Sequence, residues 1–306
     1  MMNWNWKIAS LGVAASVGLA TMGLSGPLKS AVTSLGDKQY LQVNIGTDAT
    51  GSGPGVAQFT RGINAITFDV AEQSASGVAL SQAAGHVKEQ ITVKVGETNL
   101  LTLISVGKNL FVDFDLAAVS KVPGITVSPA QLASAQLLLG NRWFEFPESL
   151  LTQELHAVPG AGTAIKLNTN ADKVLKAQIM TELTKLFSQT QIPAPTNGVY
   201  SVTGTLNSLW KTFLPILRRV GDTTLPTTSP SGTFTATLST SGTEATGASL
   251  ALALPDGTAG HVAIKIHATF EHAAFAVNAP AQATVVTPAM ISALSGLTSG
   301  SLASLG

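Results

Sequence analysis

From Tyr40 onward, apolar and polar residues alternate in short runs, the period of two that marks half-buried strands. The first strand is expected over Tyr40 to Ile45, with Leu41, Val43 and Ile45 on one face and Gln42 and Asn44 on the other. A Gly/Ser/Pro-rich loop from Thr47 to Gly55 should separate it from a strand over Ile63 to Ala71, where Ile66, Phe68 and Val70 oppose Thr67 and Asp69. Lys88 to Val95 and Asn99 to Val106 follow, joined by Gly96-Glu97-Thr98, and Gly107-Lys108 turns the chain into Leu110 to Phe114. Connections this short make antiparallel hairpins, not crossovers. Arg142 to Phe146 and Gly162 to Asn168 complete the first half.

The second half repeats the alternation in strands over Val199 to Thr203, Thr233 to Thr240, Ala248 to Leu254, His261 to Phe270 and Ala274 to Asn278. In His261 to Phe270, Val262, Ile264, Ile266 and Ala268 point inward, and His261, Lys265 and His267 outward. Pro255-Asp256-Gly257 reads as the turn before it.

Helical spacing appears between these runs. Pro27 to Gly36 places Leu28, Ala31, Val32 and Leu35 on one side, with Pro first and Gly last. Ser128-Pro129 opens a helix through Leu139, Pro147 opens another over Glu148 to His156, and Thr169-x-x-Asp172 precedes one carrying Val174 to Phe187. Thr205 caps a strongly apolar helix over Leu206 to Val220, containing Trp210 and Phe213, which Pro215 should kink. Thr287-Pro288 begins a last helix over Ala289 to Leu294. Helix, strand and meander thus occur in that order twice. The chain reads as α+β, a curved antiparallel sheet against several helices, with a pseudo-repeat of two halves carried by arrangement and not by side-chain identity.

The first 24 residues differ from the rest. Met1 to Lys7 carries one positive charge and Trp4 and Trp6, and Ile8 to Leu24 has no charge. Ile8 to Val17 matches the roughly 7–15 apolar residues of a signal-peptide core, and Gly18-Leu19-Ala20 supplies small residues for cleavage. Met22-Gly23-Leu24 and the tryptophans suit an uncleaved anchor instead. Residues 1–24 are therefore expected to be a signal peptide or N-terminal membrane anchor, residues 27–297 an extracytoplasmic domain, and residues 298–306 a flexible tail. The protein is expected in the cell envelope or secreted.

Composition narrows the function. Lys+Arg and Asp+Glu balance at 17 each, so no net basic excess exists to neutralise phosphates, and nucleic acid is not an expected partner. Charged residues make up only 11% of the 306, and mean hydropathy is +0.32, which excludes a disordered chain. The absence of cysteine excludes disulfides, thiolate metal sites and a lipidated cysteine.

No motif supplies chemistry. His86, His156, His261, His267 and His272 form no HExxH; His267 and Glu271 share a strand face, with His272 on the opposite one. Asp113 and Asp115 share a face without a third partner. Gly107-Lys108 lacks the rest of a phosphate loop, no GxSxG elbow occurs, and Arg218-Arg219 fits a helix C-terminus. No catalytic residue, metal site or cofactor is expected.

Two stretches resemble a known class. Gly107-Lys108-Asn109-Leu110-Phe111-Val112-Asp113-Phe114-Asp115, followed by Gly140-Asn141-Arg142-Trp143-Phe144-Glu145-Phe146-Pro147, is similar to the paired glycine–aromatic–acid and glycine–tryptophan–proline pattern of exported LolA/LprG-like envelope proteins. The late Ala279-Pro280-x-x-Ala283 before a C-terminal helix is similar too. The outline spans roughly Gly36 to Leu297, but the distinctive residues lie between Gly107 and Leu151. Phe111 stands where those proteins carry tyrosine, and the lipidated cysteine many of them carry is missing. The resemblance implies a half-barrel wrapped against helices, with lipid or acyl chains in its cavity.

The expected function is thus a non-enzymatic exported envelope protein that binds an apolar small molecule or lipid. Its cavity would be lined by Val43, Phe68, Ile91, Val93, Trp210, Phe213, Val262 and Ile264, and the membrane would be a further partner if the N-terminal segment is uncleaved. The alternative is a structural or adhesive envelope protein with a solid core. Trp143 and Trp210, both in apolar stretches, are expected to be substantially buried.

Overall fold

The computed structural model describes residues 26–53, 55–83, 86–121, 133, 142–147, 150, 194–208, 210–211, 231–257 and 260–290. Helix α1 (Gly26–Ser34) leads into β1 (Tyr40–Ser52), helix α2 (Val56–Asn64) and β2 (Ile66–Ser74). A 3-10 turn (Leu80–Gln82) precedes the meander β3 (Val87–Val95), β4 (Thr98–Val106) and β5 (Asn109–Phe114). The short helix α3 (Leu116–Val119) and β6 (Phe144–Pro147) come next. Then β7 (Val199–Thr205), β8 (Thr233–Ser241), β9 (Glu244–Gly257) and β10 (Gly260–Glu271) form a second meander, and β11 (Thr284–Val285) ends the series.

All eleven strands belong to one unclosed sheet, ordered β11-β6-β5-β4-β3-β2-β1-β10-β9-β8-β7. β1 leads its own meander and pairs with β10, the last strand of the other, so the two halves join at the centre. The tight hairpins follow from glycine. Gly96 (φ 57°) and Gly107 (φ 64°) stand first in two-residue loops closed by Val95↔Thr98 and Val106↔Asn109, where positive φ matches the twist of the flanking strands. Asn197 (φ 51°) and Gly198 place both central residues of the loop before β7 at positive φ, the type I′ arrangement.

Several expectations are corrected. The sheet is mixed: after β10 the chain runs from the centre to the far edge, so β11 meets β6 in parallel. Among the described residues the sheet dominates and helices are few and short, which meets the α+β reading only in part. The expected loop over Thr47 to Gly55 is largely strand, because β10 supplies partners as far as Ser52↔His261. Helix α2 follows that loop directly, capped by Gly55, and takes the start of the expected strand over Ile63 to Ala71, so β2 begins at Ile66. Pro255-Asp256-Gly257 extends β9, and the chain reverses after Gly257, which pairs with Gly260.

Ala274 to Asn278 is not a strand but an irregular crossing segment. Its Phe275 and Val277 pack with Ile104, Phe111 and Ala71 on the sheet's polar face, and Gln73 accepts a hydrogen bond from the Val277 backbone at 2.9 Å. The expected segments at 1–24, 151–193, 212–230 and 298–306 lie outside the described residues, as do nearly all of 122–141. Thr205 does cap a helical start at 206–208, its hydroxyl accepting from Ser208 N at 3.3 Å.

Candidate functional site

Residues directly opposite each other in an antiparallel pair share a face. From β4 to β9, one row runs Leu101, Val93, Phe68, Ile45, Ala268 and Ala248, with Phe114 and Leu238 continuing it on β5 and β8. The next row runs Phe144, Val112, Leu103, Ile91, Val70, Val43 and Phe270. Toward the other end, Ala49 opposes Ile264, which opposes Leu252, and Val262 opposes Leu254. Period two along each strand and register across strands combine into a single apolar face. Val43, Phe68, Ile91, Val93, Val262 and Ile264 all belong to it. Val93 and Ile264 lie three strand spacings apart across the sheet, about 14 Å, and are offset by a further four residues along it, because Val93 lines up with Ala268.

That face is covered unevenly. At one end Ala31 of α1 and Leu35 just after it, with Leu80 of the 3-10 turn, close over Val43, Val70, Ile91 and Leu103. Val43 is 4% exposed there and Ile91 9%. Buried Ser34 stitches α1 to β9, donating to Ala31 O at 2.6 Å and accepting from Ala245 N at 3.1 Å. Further along, Phe68, Val93, Val262 and Ile264 are only half-buried. Beyond them Leu206 packs with Val202, Phe234, Leu250 and Leu252. Trp210 follows one helical turn after Leu206, and both it and Trp143 are partly exposed but more covered than open, in line with the burial expected for both. Phe213 lies outside the described residues.

A cleft of about 490 Å³ lies elsewhere, against the ends of β4 and β5, and its walls include Asn99, Thr102, Asp113, Asp115, Arg142 and Trp143. Burial, and secondarily the neighbouring Asp115 charge, raise the Asp113 pKa above its ordinary 3.8. Asp115 is engaged as the cap of α3, its carboxylate accepting from Ala117 N at 2.9 Å and Ala118 N at 3.3 Å. The Arg142 guanidinium lies 5.4 Å from the Phe144 ring centroid. Sequence reasoning singled out the two aspartates and missed Arg142 and Trp143 beside them. The signal that would have found them is register: Phe111↔Glu145 and Val112↔Phe144 set Trp143 next to Asp113.

The opposite sheet face is polar over β1, β2 and β10, and apolar where the crossing segment covers Ile104 and Phe111. Asp69 pairs with Lys94 and accepts from Asn44, and His267 lies 3.4 Å from Asp48 with its ring over Gly46. His272 Nδ1 bonds the Tyr40 carbonyl at 2.9 Å. These histidines are tied to the sheet, and no cluster of three metal-ligating side chains occurs among the described residues. No helix among them is long and apolar enough to cross a membrane. Neither a protein-family model nor a curated protein sequence matches the chain.

Proposed function

We propose that this chain is a non-enzymatic, exported cell-envelope protein that shelters an apolar ligand, a lipid or acyl chain. The ligand lies along the apolar face, in a half-barrel like that of the LolA/LprG-like proteins, with helices over it. The observation that carries the reading is the half-buried stretch Phe68, Val93, Ile264 and Val262, continuous by register with the closed core under α1. An acyl chain laid on such a face gains about 0.8 kcal/mol per buried methylene, so ten methylenes contribute roughly 8 kcal/mol before ordering costs. Affinity of that kind needs no reactive side chain. A structural envelope protein is the second reading, favoured by the dense packing of Leu35, Leu41 and Val70 at the closed end.

Protein purified without detergent is expected to carry extractable acyl lipid, visible as a mass increment in native mass spectrometry. Ile264→Glu introduces a charge into the half-buried stretch at a cost of several kcal/mol unless water enters. In a ligand cavity the variant stays folded and loses the lipid. Lipid-free wild-type protein together with an Ile264→Glu variant that cannot fold would leave only the structural reading.

A further inference from the structure

Three buried side-chain nitrogens of described residues lack a hydrogen-bond partner: Trp210 Nε1, His267 Nδ1 and His272 Nε2. The imidazoles have ready explanations. His272 uses its other nitrogen on the Tyr40 carbonyl, which leaves Nε2 as a bare acceptor, and His267 Nδ1 sits 3.4 Å from the Asp48 carboxylate. Trp210 has no such recourse, because an indole N–H can only donate. Buried indole N–H groups ordinarily find an acceptor, and an orphan donor in a packed protein calls for a missing partner.

Its position says what that partner is. Leu206 joins the cluster of Val202, Phe234, Leu250 and Leu252 on the apolar face, and Trp210 follows at i+4, on the same side of the helix. Leu252 in turn opposes Ile264, one of the half-buried residues of the proposed site. The donor therefore belongs to a helix that starts on apolar surface, where water finds few of the two to four polar partners it needs.

We infer that Trp210 Nε1–H donates a hydrogen bond to an oxygen of the bound ligand. The site then selects oxygenated lipids, those with an ester, amide or hydroxyl oxygen beside the chain, over plain hydrocarbon. This rests on the carrier reading and adds a polar anchor to it. The anchor fixes the depth at which a chain seats, which uniform apolar contact cannot do.

The test uses the full-length protein and two probes, methyl palmitate and octadecane, each competing against a fluorescent apolar probe. Wild type should prefer the ester, and Trp210→Phe, which keeps the ring and removes the donor, should weaken ester binding by roughly three- to tenfold, with octadecane unchanged. In wild-type protein with isotope-labelled tryptophan, one indole N–H resonance, identified by its persistence in a variant whose other three tryptophans (Trp4, Trp6 and Trp143) are replaced by phenylalanine, should move downfield with the ester and stay in place with octadecane. That second measurement holds even if Trp210→Phe fails to fold. An unchanged ester-to-alkane ratio, or no indole shift with ester bound, overturns the anchor and leaves the carrier standing. If neither probe binds wild type, the carrier reading falls and the anchor with it.

Discussion

Single side chains here finish work that the backbone begins. The Asn64 side chain donates to Ala49 O at 2.9 Å and accepts from Ala49 N at 2.6 Å, continuing the β1–β2 ladder two residues past the start of β2. Asn64→Ala leaves both groups of a residue only 3% exposed without partners, and should cost about 1–3 kcal/mol by denaturant unfolding. At Asp113 the sign runs the other way. With its pKa raised in the folded state, its favourable contribution is complete below pH 3.8 and is lost as pH rises through the raised value. Asp113→Asn should therefore melt slightly higher than wild type at neutral pH. The difference should be small, because the carboxyl keeps contact with water, and should vanish on acidification below that window. A constant offset across the titration would contradict the assignment.

At the scale of elements, cross-strand fit decides more than propensity. Gly204 opposes Phe234, and a Cβ there would come within 2.5 Å of the buried ring, so the bare glycine makes room for it. Gly204→Ala should force the ring aside and destabilise the β7–β8 edge by about 1–3 kcal/mol, with hydrogen exchange accelerated there before elsewhere. Most of the strands were legible from alternation alone: β3, β4, β5, β6, β7, β8 and β10 lie within two residues of expectation. Those that moved did so for tertiary reasons. Aspartate, glycine and serine within 47–52 read as loop, yet β10 pairs with that stretch throughout. Ala274 to Asn278 alternates like a strand, but its apolar side chains cover Ile104 and Phe111 from above the sheet, with no ladder of their own.

At the scale of the molecule, α1 ties the two halves together. Leu35, 2% exposed, sits on the β1–β4 side of the core, and Ser34 bonds to β9. Leu35→Ala should cost about 2–5 kcal/mol and lower the single unfolding midpoint of both halves. Two separate transitions would show that the halves fold independently.

The site divides along the same line. The six strand residues picked from the sequence fall on one face, because inward alternation survives any register that keeps an apolar face buried. Which of them are sealed and which stay half-open was not legible, since that depends on where α1 and the 3-10 turn come to rest. The sequence by itself determined the period of the strands, the glycine turns and the apolar-in, polar-out sense of each segment, all properties of residues a few positions apart. Only the tertiary structure decided that β1 and β10 meet at the centre of one sheet, that a crossing segment covers part of its polar face, and that Trp143 stands beside Asp113. Those contacts join residues far apart in the chain, where packing of whole faces, not local periodicity, sets the outcome.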